Sequence, residues 1–219
     1  MEVKVMKNIL GENDKLAEQN RRLFAEKNVF VVNLMGSPGS GKTSLLEKTL
    51  SLLAKKINVA VVEGDLFTAK DAERIERQGV PVVQINTVGG CHLDAAMVSR
   101  AVQSLDLDKI DLLIVENVGN LVCPAEFDVG ENLKAVVLSI TEGDDKPLKY
   151  PLIFKESAIT LLNKIDLLDY TNFDLAAARE DLTTLHPGLK VLETSCTKNI
   201  GLGEWSEWLL AKAGVGNVS

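Results

Sequence analysis

An α/β domain with a mainly parallel central sheet of about seven strands and helices on both faces is the fold class this sequence predicts. Three observations predict it. Seven short runs rich in β-branched residues are mostly apolar throughout rather than in alternation, as strands covered on both faces are. Patterns of helical period alternate with those runs from Val29 onward. The first run leads straight into a glycine-rich loop and then a leucine-bearing helical stretch, the strand–loop–helix order of a phosphate-binding unit.

Taken in order, residues 1–28 are polar with a sparse apolar stripe of helical period formed by Ile9, Leu10, Leu16, Ala17, Leu23 and Phe24. The stripe fits an N-terminal amphipathic helical extension packed on the domain or on a partner; a solvated arm is the other reading. A second unit covers 29–219. Its strand-like runs are 29–35, 57–63, 80–85, 110–116, 135–140, 157–163 and 189–194. Ligands of such a sheet are expected at the carboxyl ends of the strands.

Composition narrows the function classes. The 219 residues carry a formal charge of −7, which speaks against a nucleic-acid backbone as the main partner. No run approaches the roughly 18 apolar residues of a membrane span. The N-terminus lacks the apolar core of a signal peptide, so the expected compartment is cytoplasmic. Three cysteines, an odd count in a reducing compartment, point to thiolate chemistry or plain burial rather than disulfides.

The loop is Gly36-Ser37-Pro38-Gly39-Ser40-Gly41-Lys42-Thr43, with Ser44 opening the helix. Its glycines let backbone N–H groups converge on an anion, and the helix N-terminus adds partial positive charge. Lys42 would reach the β- and γ-phosphates, and the Thr43 hydroxyl would sit on Mg²⁺. Glu63-Gly64-Asp65 and Glu116-Asn117-Val118-Gly119 close two further strands. Mg²⁺ keeps most of its waters, so Asp65 and Glu116 beside Thr43 suffice as carboxylate partners; one of the two acids could instead cap a helix. Gly119 would offer an N–H to a γ-phosphate, making 117–130 a segment that orders with the triphosphate. No glutamine stands at an obvious water-positioning place and no arginine is an evident finger, so intrinsic turnover is expected to be slow.

Asn163-Lys164-Ile165-Asp166 follows the sixth run and selects the base. The Asp166 carboxylate can accept from guanine N1–H and the 2-amino group together; adenine would leave that charge unpaired. Lys164 would lie along the base and Asn163 would tie the loops. Thr194-Ser195-Cys196 suits a backbone contact to the guanine oxygen, with Cys196 a small loop residue. The ligand implied is GTP.

Gly90-Cys91-His92-Leu93-Asp94 sets a soft thiol beside an imidazole at an expected helix start, where a thiol pKa falls. Cys123 lies inside the 117–130 segment. Either these are a buried thiol and a satisfied imidazole, or Cys91, His92 and Cys123 form a site suited to Ni²⁺ or Zn²⁺ rather than Mg²⁺. Three ligands from one chain leave a closed site short of four, and a site shared across a two-fold axis would complete it.

Together the phosphate loop, Gly90–Ala95, Glu116-Asn117-Val118-Gly119-Asn120-Leu121-Val122-Cys123-Pro124, Asp128–Glu131, Thr141–Pro151 and Asn163–Asp166 resemble the HypB family, nickel-insertion GTPases of NiFe-hydrogenase maturation in the SIMIBI class. The resemblance runs from Val29 to the C-terminus. It implies a GTP-hydrolysing homodimer with Cys91, His92 and Cys123 as metal site at its interface. It further implies nickel delivery to the hydrogenase large-subunit precursor with a HypA-type partner. Residues 1–28 contain neither the cysteines nor the histidines of the nickel-storing motifs some members carry. Ser37 stands where deviant Walker relatives place a lysine, leaving Lys146 or Lys149 as candidates for contact with nucleotide across the dimer. Other readings are a urease nickel-chaperone GTPase, a regulatory GTP switch with structural cysteines, and a small metabolite kinase; Asp166 and the scattered Arg74, Arg77, Arg100 and Arg179 speak against the last.

Overall fold

The computed structural model describes residues 2–66 and 70–214, with the side chains of 2–9, Ile9 among them, outside the description. Seven strands form one sheet: β1 (Phe30–Gly36), β2 (Val59–Asp65), β3 (Val82–Asn86), β4 (Leu112–Glu116), β5 (Leu133–Ser139), β6 (Ile159–Asn163) and β7 (Lys190–Thr194). Their order is β3-β2-β4-β1-β5-β6-β7, and every pairing is parallel. The helices are α1 (Glu2–Glu26), α2 (Lys42–Leu53), α3 (Lys70–Glu76), α4 (Ala95–Val102), α5 (Cys123–Glu126), α6 (Lys146–Lys149), α7 (Pro151–Lys155), α8 (Leu175–Leu185) and α9 (Leu202–Lys212).

The continuous apolar runs are explained by layers on both faces of the sheet. Val32, Leu34, Leu112 and Ile114 pack against Leu45, Leu46 and Leu50 of α2, Ile75 of α3, and Trp205 and Leu209 of α9. Val31, Leu113 and Val115 face the opposite way, onto Phe24 of α1 and Val98 of α4. Further along that face, Val136 and Leu138 meet Ile153 and Phe154 near α7 and Ala178 and Leu182 of α8.

Strand boundaries differ from the apolar runs where the backbone is claimed by a turn. The second strand starts at Val59, because the Ile57 N–H is still spent on Leu53 O after α2. The fourth starts at Leu112, because the Ile110 N–H closes a 3₁₀ turn on Leu107 O. Ile140 leaves the fifth strand for a 3₁₀ turn capped by Ser139 and Glu142. The expected helix start at Cys91 is corrected more substantially. Asp94 caps α4, its side chain accepting from Met97 N at 2.7 Å, so the helix begins at Ala95 and Cys91 lies in the turn before it. Cys91 therefore has no place in a helical first turn.

Helix α1 lies along α4, seating Ala17 and Phe24 in the core. Two of its polar residues, Asn13 and Asn20, are 6% and 2% exposed, and both bond backbone groups of the domain.

Candidate nucleotide and metal sites

The strands' carboxyl ends surround a cavity of about 420 Å³, lined by the 38–44 loop, Glu63 to Leu66, Asp71, Arg74, Glu116 to Gly119 and Lys164. The central position of β1 puts the loop there, and three of its glycines have positive φ: 152° at Gly36, 73° at Gly39 and 99° at Gly41. Gly41 ends the loop in the left-handed region and α2 starts on the next residue, so the helix's unpaired N–H groups face the cavity. Lys42 is 8% exposed, and its Nζ donates to Gly36 O at 3.2 Å and Ser37 O at 3.4 Å. Burial lowers its pKa, with the charge of Glu116 opposing. The ammonium is thereby folded back along the loop, among carbonyl groups that a phosphate would displace.

The Thr43 hydroxyl donates to Glu116 Oε1 at 2.7 Å. Glu116 Oε2 is buried with no hydrogen-bond partner in the protein, and the same holds for Glu63 Oε2. Orphaned carboxylate oxygens beside a threonine hydroxyl fit a hard divalent cation such as Mg²⁺. Asp65 also lines the cavity, its Oδ1 accepting from Leu66 N at 2.7 Å. Gly119 approaches the loop so closely that a Cβ there would lie 2.8 Å from Pro38 Cα; only glycine lets the 117–130 segment touch the phosphate loop.

On the far side of the loop, Asn163 Nδ2 donates to Ser40 O at 2.9 Å and Lys164 Nζ to Gly39 O at 2.6 Å. The sixth strand's end is thus tied to the phosphate loop. Ser195 Oγ donates to Asp166 Oδ1 at 2.5 Å and accepts from Lys198 N at 3.0 Å, fixing the carboxylate against the loop after β7. Cys196 is half-buried, with a thiol raised by burial, beside Asn163 rather than in the cavity.

Cys91, His92 and Cys123 converge: their donor atoms all lie within 4.8 Å of one another. The two sulfurs are 2.9 Å apart, and Cys91 Sγ is 3.5 Å from His92 Nδ1. Phe127 stacks on the imidazole with ring centroids 3.7 Å apart. Burial lowers the His92 pKa, while the hydrogen bond to Cys91, together with burial, raises the Cys123 thiol. Two thiols and a neutral imidazole are the donor set of a borderline-soft cation.

Residues 30–193 match the CobW/HypB/UreG nucleotide-binding domain. The hydrogenase maturation factor HypB of Azotobacter chroococcum mcd 1 is 50% identical over 212 residues, covering 97% of this chain and 70% of that protein. The chain belongs to the HypB family of hydrogenase maturation factors. The crystal structure of HypB from Helicobacter pylori in complex with nickel superposes with a TM-score of 0.89 at 38% identity, over 95% of this chain and 98% of that one. HypB from Archaeoglobus fulgidus gives 0.87 at 37% identity, over 93% and 99%. The fold is that of the HypB P-loop GTPases.

In this HypB-family chain two groups, Glu63 and Arg74, line the cavity although sequence reasoning gave them no role in the site. Glu63 pairs with Glu116 in the β2–β4 register, so three strand-end acids, Glu63, Asp65 and Glu116, line the cavity. The signal was present, since Glu63 and Asp65 are two apart on a strand and so share a face, but one carboxylate from each strand end was taken to suffice beside Thr43. Arg74 lines the cavity, held by Glu47 at 2.6 Å, Asp71 at 2.9 Å and Ser44 Oγ at 3.1 Å. The Asp71 pair is local to α3, but the Glu47 and Ser44 contacts that aim the guanidinium at the cavity join α3 to α2, and no local pattern announces them. Both candidate lysines pair with Asp145, Lys146 at 3.7 Å and Lys149 more closely, and Lys146 also borders a recess shared with Ser37, Pro38 and Gly119.

Proposed function

We propose that this HypB-family chain is a GTP-hydrolysing metallochaperone, cytoplasmic and homodimeric, whose nucleotide state governs a Cys/His metal site during nickel insertion into NiFe hydrogenase. The observation that carries the reading is the convergence of Cys91, His92 and Cys123 within 4.8 Å, with Cys123 on the segment that leaves the cavity at Glu116.

In this reading Gly36, Ser37, Gly39, Ser40, Gly41, Lys42, Thr43 and Ser44 cradle the phosphates, and Thr43, Asp65 and Glu116 hold Mg²⁺, with Glu63 in support. Asn163, Lys164, Asp166, Ser195 and Cys196 form the guanine pocket. A Mg²⁺ held by these residues would supply charge neutralisation for the phosphates. Lys42 gives up its carbonyl partners for the γ-phosphate, and Gly119 N–H closes on the same group. The reaction is attack of water on the γ-phosphorus, and intrinsic turnover is slow: no glutamine lines the cavity among the described residues, and Arg74 is occupied by Glu47 and Asp71.

The metal ligands are Cys91, His92 and Cys123, taking Ni²⁺ or Zn²⁺, with the remaining coordination completed at a two-fold interface. A HypA-type chaperone and the hydrogenase large-subunit precursor are the partners. Residues 1–28 act as an extension of the 29–219 GTPase unit.

Titration of Ni²⁺ into the GDP form and into a form loaded with a non-hydrolysable GTP analogue tests the reading, with association followed by sedimentation. The two affinities are expected to differ by about 5- to 150-fold, with GTP analogue and metal both shifting the monomer–dimer balance. Stoichiometric Ni²⁺ absent from both forms would defeat the metallochaperone reading. Equal affinities would defeat the coupling.

A further inference from the structure

Beneath the metal site runs a continuous chain of buried hydrogen bonds that no step above uses. Leu93 N donates to Asn117 Oδ1 at 3.0 Å, and Asn117 Nδ2 donates to Asn33 Oδ1 at 3.1 Å. Asn33 Nδ2 donates to Glu131 Oε1 at 3.3 Å, and Glu131 Oε2 accepts from Val129 N at 2.7 Å. Asn20 of α1 then closes the ring, its Nδ2 donating to Val129 O at 3.0 Å and to Ala95 O at 2.9 Å. Ala95 is two residues past Leu93. Asn33, Asn117, Asn20 and Glu131 are 0%, 1%, 2% and 7% exposed.

Each amide has only one orientation open to it. Asn117 Oδ1 accepts from two backbone N–H groups, those of Leu93 and of its own neighbour Val118, so its NH₂ must face Asn33. Asn33 must then turn its own NH₂ toward Glu131. A buried, fully partnered and directionally locked network moves as a unit, because breaking one bond strands several polar groups away from water.

Its position decides what it transmits. Asn117 follows Glu116, which holds the Thr43 hydroxyl, and its backbone N–H is bonded to Leu34 O of β1. Leu93 follows His92 directly. One side chain thus joins the carboxylate end of the nucleotide site to the loop bearing Cys91 and His92. Asn120 repeats the tie from outside, its backbone N–H on Gly36 O at 3.0 Å and its Nδ2 on Cys91 O at 3.3 Å.

We propose that Asn117 is the positioning residue that couples nucleotide state to the metal site, by holding the Leu93 N–H so that movement of the Glu116–Gly119 strand end displaces Cys91 and His92 as well as Cys123. This rests on the proposed metallochaperone reading. It makes both halves of the metal site nucleotide-sensitive, whereas a route through the 117–123 segment alone would move only Cys123. Helix α1, through Asn20, anchors the far side of the same loop.

The test compares Ni²⁺ affinity in the GDP form and the GTP-analogue form for the full chain, the wild type beside Asn117→Ala, Asn117→Asp and Asn20→Ala. Asn117→Ala is expected to bring the ratio of the two affinities to within about twofold of unity from the wild-type 5- to 150-fold. Amide exchange at Leu93 should quicken in that variant while the Leu113 and Val115 amides of β4 keep their protection. Asn117→Asp retains the acceptor for Leu93 and Val118 but loses the donor to Asn33, so it should keep slow Leu93 exchange and an intermediate ratio above that of Asn117→Ala. Asn20→Ala cuts the ring at α1, outside the nucleotide cavity; it should lower the ratio and serves if Asn117→Ala does not fold. A wild-type ratio of one would sink the coupling reading itself. A normal wild-type ratio kept in full by Asn117→Ala, or by Asn20→Ala where the former cannot be purified, would overturn the role of Asn117. Equal losses in the Ala and Asp variants would overturn it too.

Discussion

Glu63 and Glu116 are register partners across β2 and β4, two buried carboxyls side by side at the carboxyl end of the sheet with an orphaned Oε2 each. Burial pushes Glu63 up to about 8, with the neighbouring Glu116 charge adding to it, and burial pushes Glu116 up to about 7 against the pull of Lys42. Both titrate higher in the folded than in the unfolded chain. Their contribution to stability is therefore fully present below about pH 4.5 and is lost as the pH rises through 7 and 8. Urea unfolding of the nucleotide-free protein should show stability falling between pH 5.5 and 8.5 by on the order of 1–3 kcal/mol. Mg²⁺ with nucleotide should restore it, and Glu63→Gln should flatten the slope. A flat wild-type profile would mean that the acid pair is not strained in the free protein.

Guanine selectivity should reside in Asp166, which Ser195 Oγ holds at 2.5 Å. Asp166→Asn exchanges an acceptor pair for one acceptor and one donor, which suits xanthine. Loss of GTP relative to gain of XTP should reach about 10⁴-fold in kcat/KM, the scale at which hydrogen-bonding sites discriminate. Ser195→Ala should cost less, about tenfold, because it frees the carboxylate rather than removing it. An Asp166→Asn variant that still prefers GTP would defeat the base assignment.

Lys42 is surrounded by acids as well as loop carbonyls: the charges of Glu116, Glu142, Asp71 and Glu63 all act on it. Lys42→Ala should cut GTP turnover by about 10²- to 10³-fold, the cost of losing one preorganised charge partner at a transition state. The fold should persist, since the buried acids then hold their protons more firmly. Single-turnover hydrolysis with matched circular dichroism decides it, and wild-type turnover in the variant would remove Lys42 from the site.

Much of this architecture is legible along the chain because its determinants are local. The glycine loop, the continuous apolar strands and the N-K-x-D turn are each set within eight residues or fewer, and the sheet they predict is the one observed, all-parallel rather than mainly so. What pairwise reading along the chain misses is what strand register and helix docking create. Glu63 meets Glu116 only because β2 pairs with β4, Arg74 meets Ser44 only because α3 lies on α2, and the Asn33–Asn117 bond spans 84 positions. Composition has no view of such contacts. The helix start at Cys91 fails for another reason: Asp94 is the better cap, and a capping residue overrides a favourable run before it.

The metal site carries its own pH signature. Thiolates, not thiols, are the ligands, so each cysteine must shed its proton when a cation binds. Cys123 is raised by its hydrogen bond to Cys91 and by burial, so it is protonated at neutral pH in the free protein. His92, lowered by burial, is already neutral there and costs no proton. Ni²⁺ affinity should therefore rise with pH between 6.5 and 8 by about tenfold per unit for each thiol that deprotonates. Calorimetry in buffers of different ionisation enthalpy counts the protons released. Cys123→Ala should remove one of them. It should also narrow the gap between GDP and GTP-analogue affinities more than it weakens binding to the nucleotide-free chain, because Cys123 sits on the segment that begins at Glu116. Cys91→Ala should remove the metal, and with it any effect of metal on GTP affinity, since linkage is reciprocal. Binding that releases no proton across this range would exclude Cys123 as a ligand, however close the two sulfurs lie.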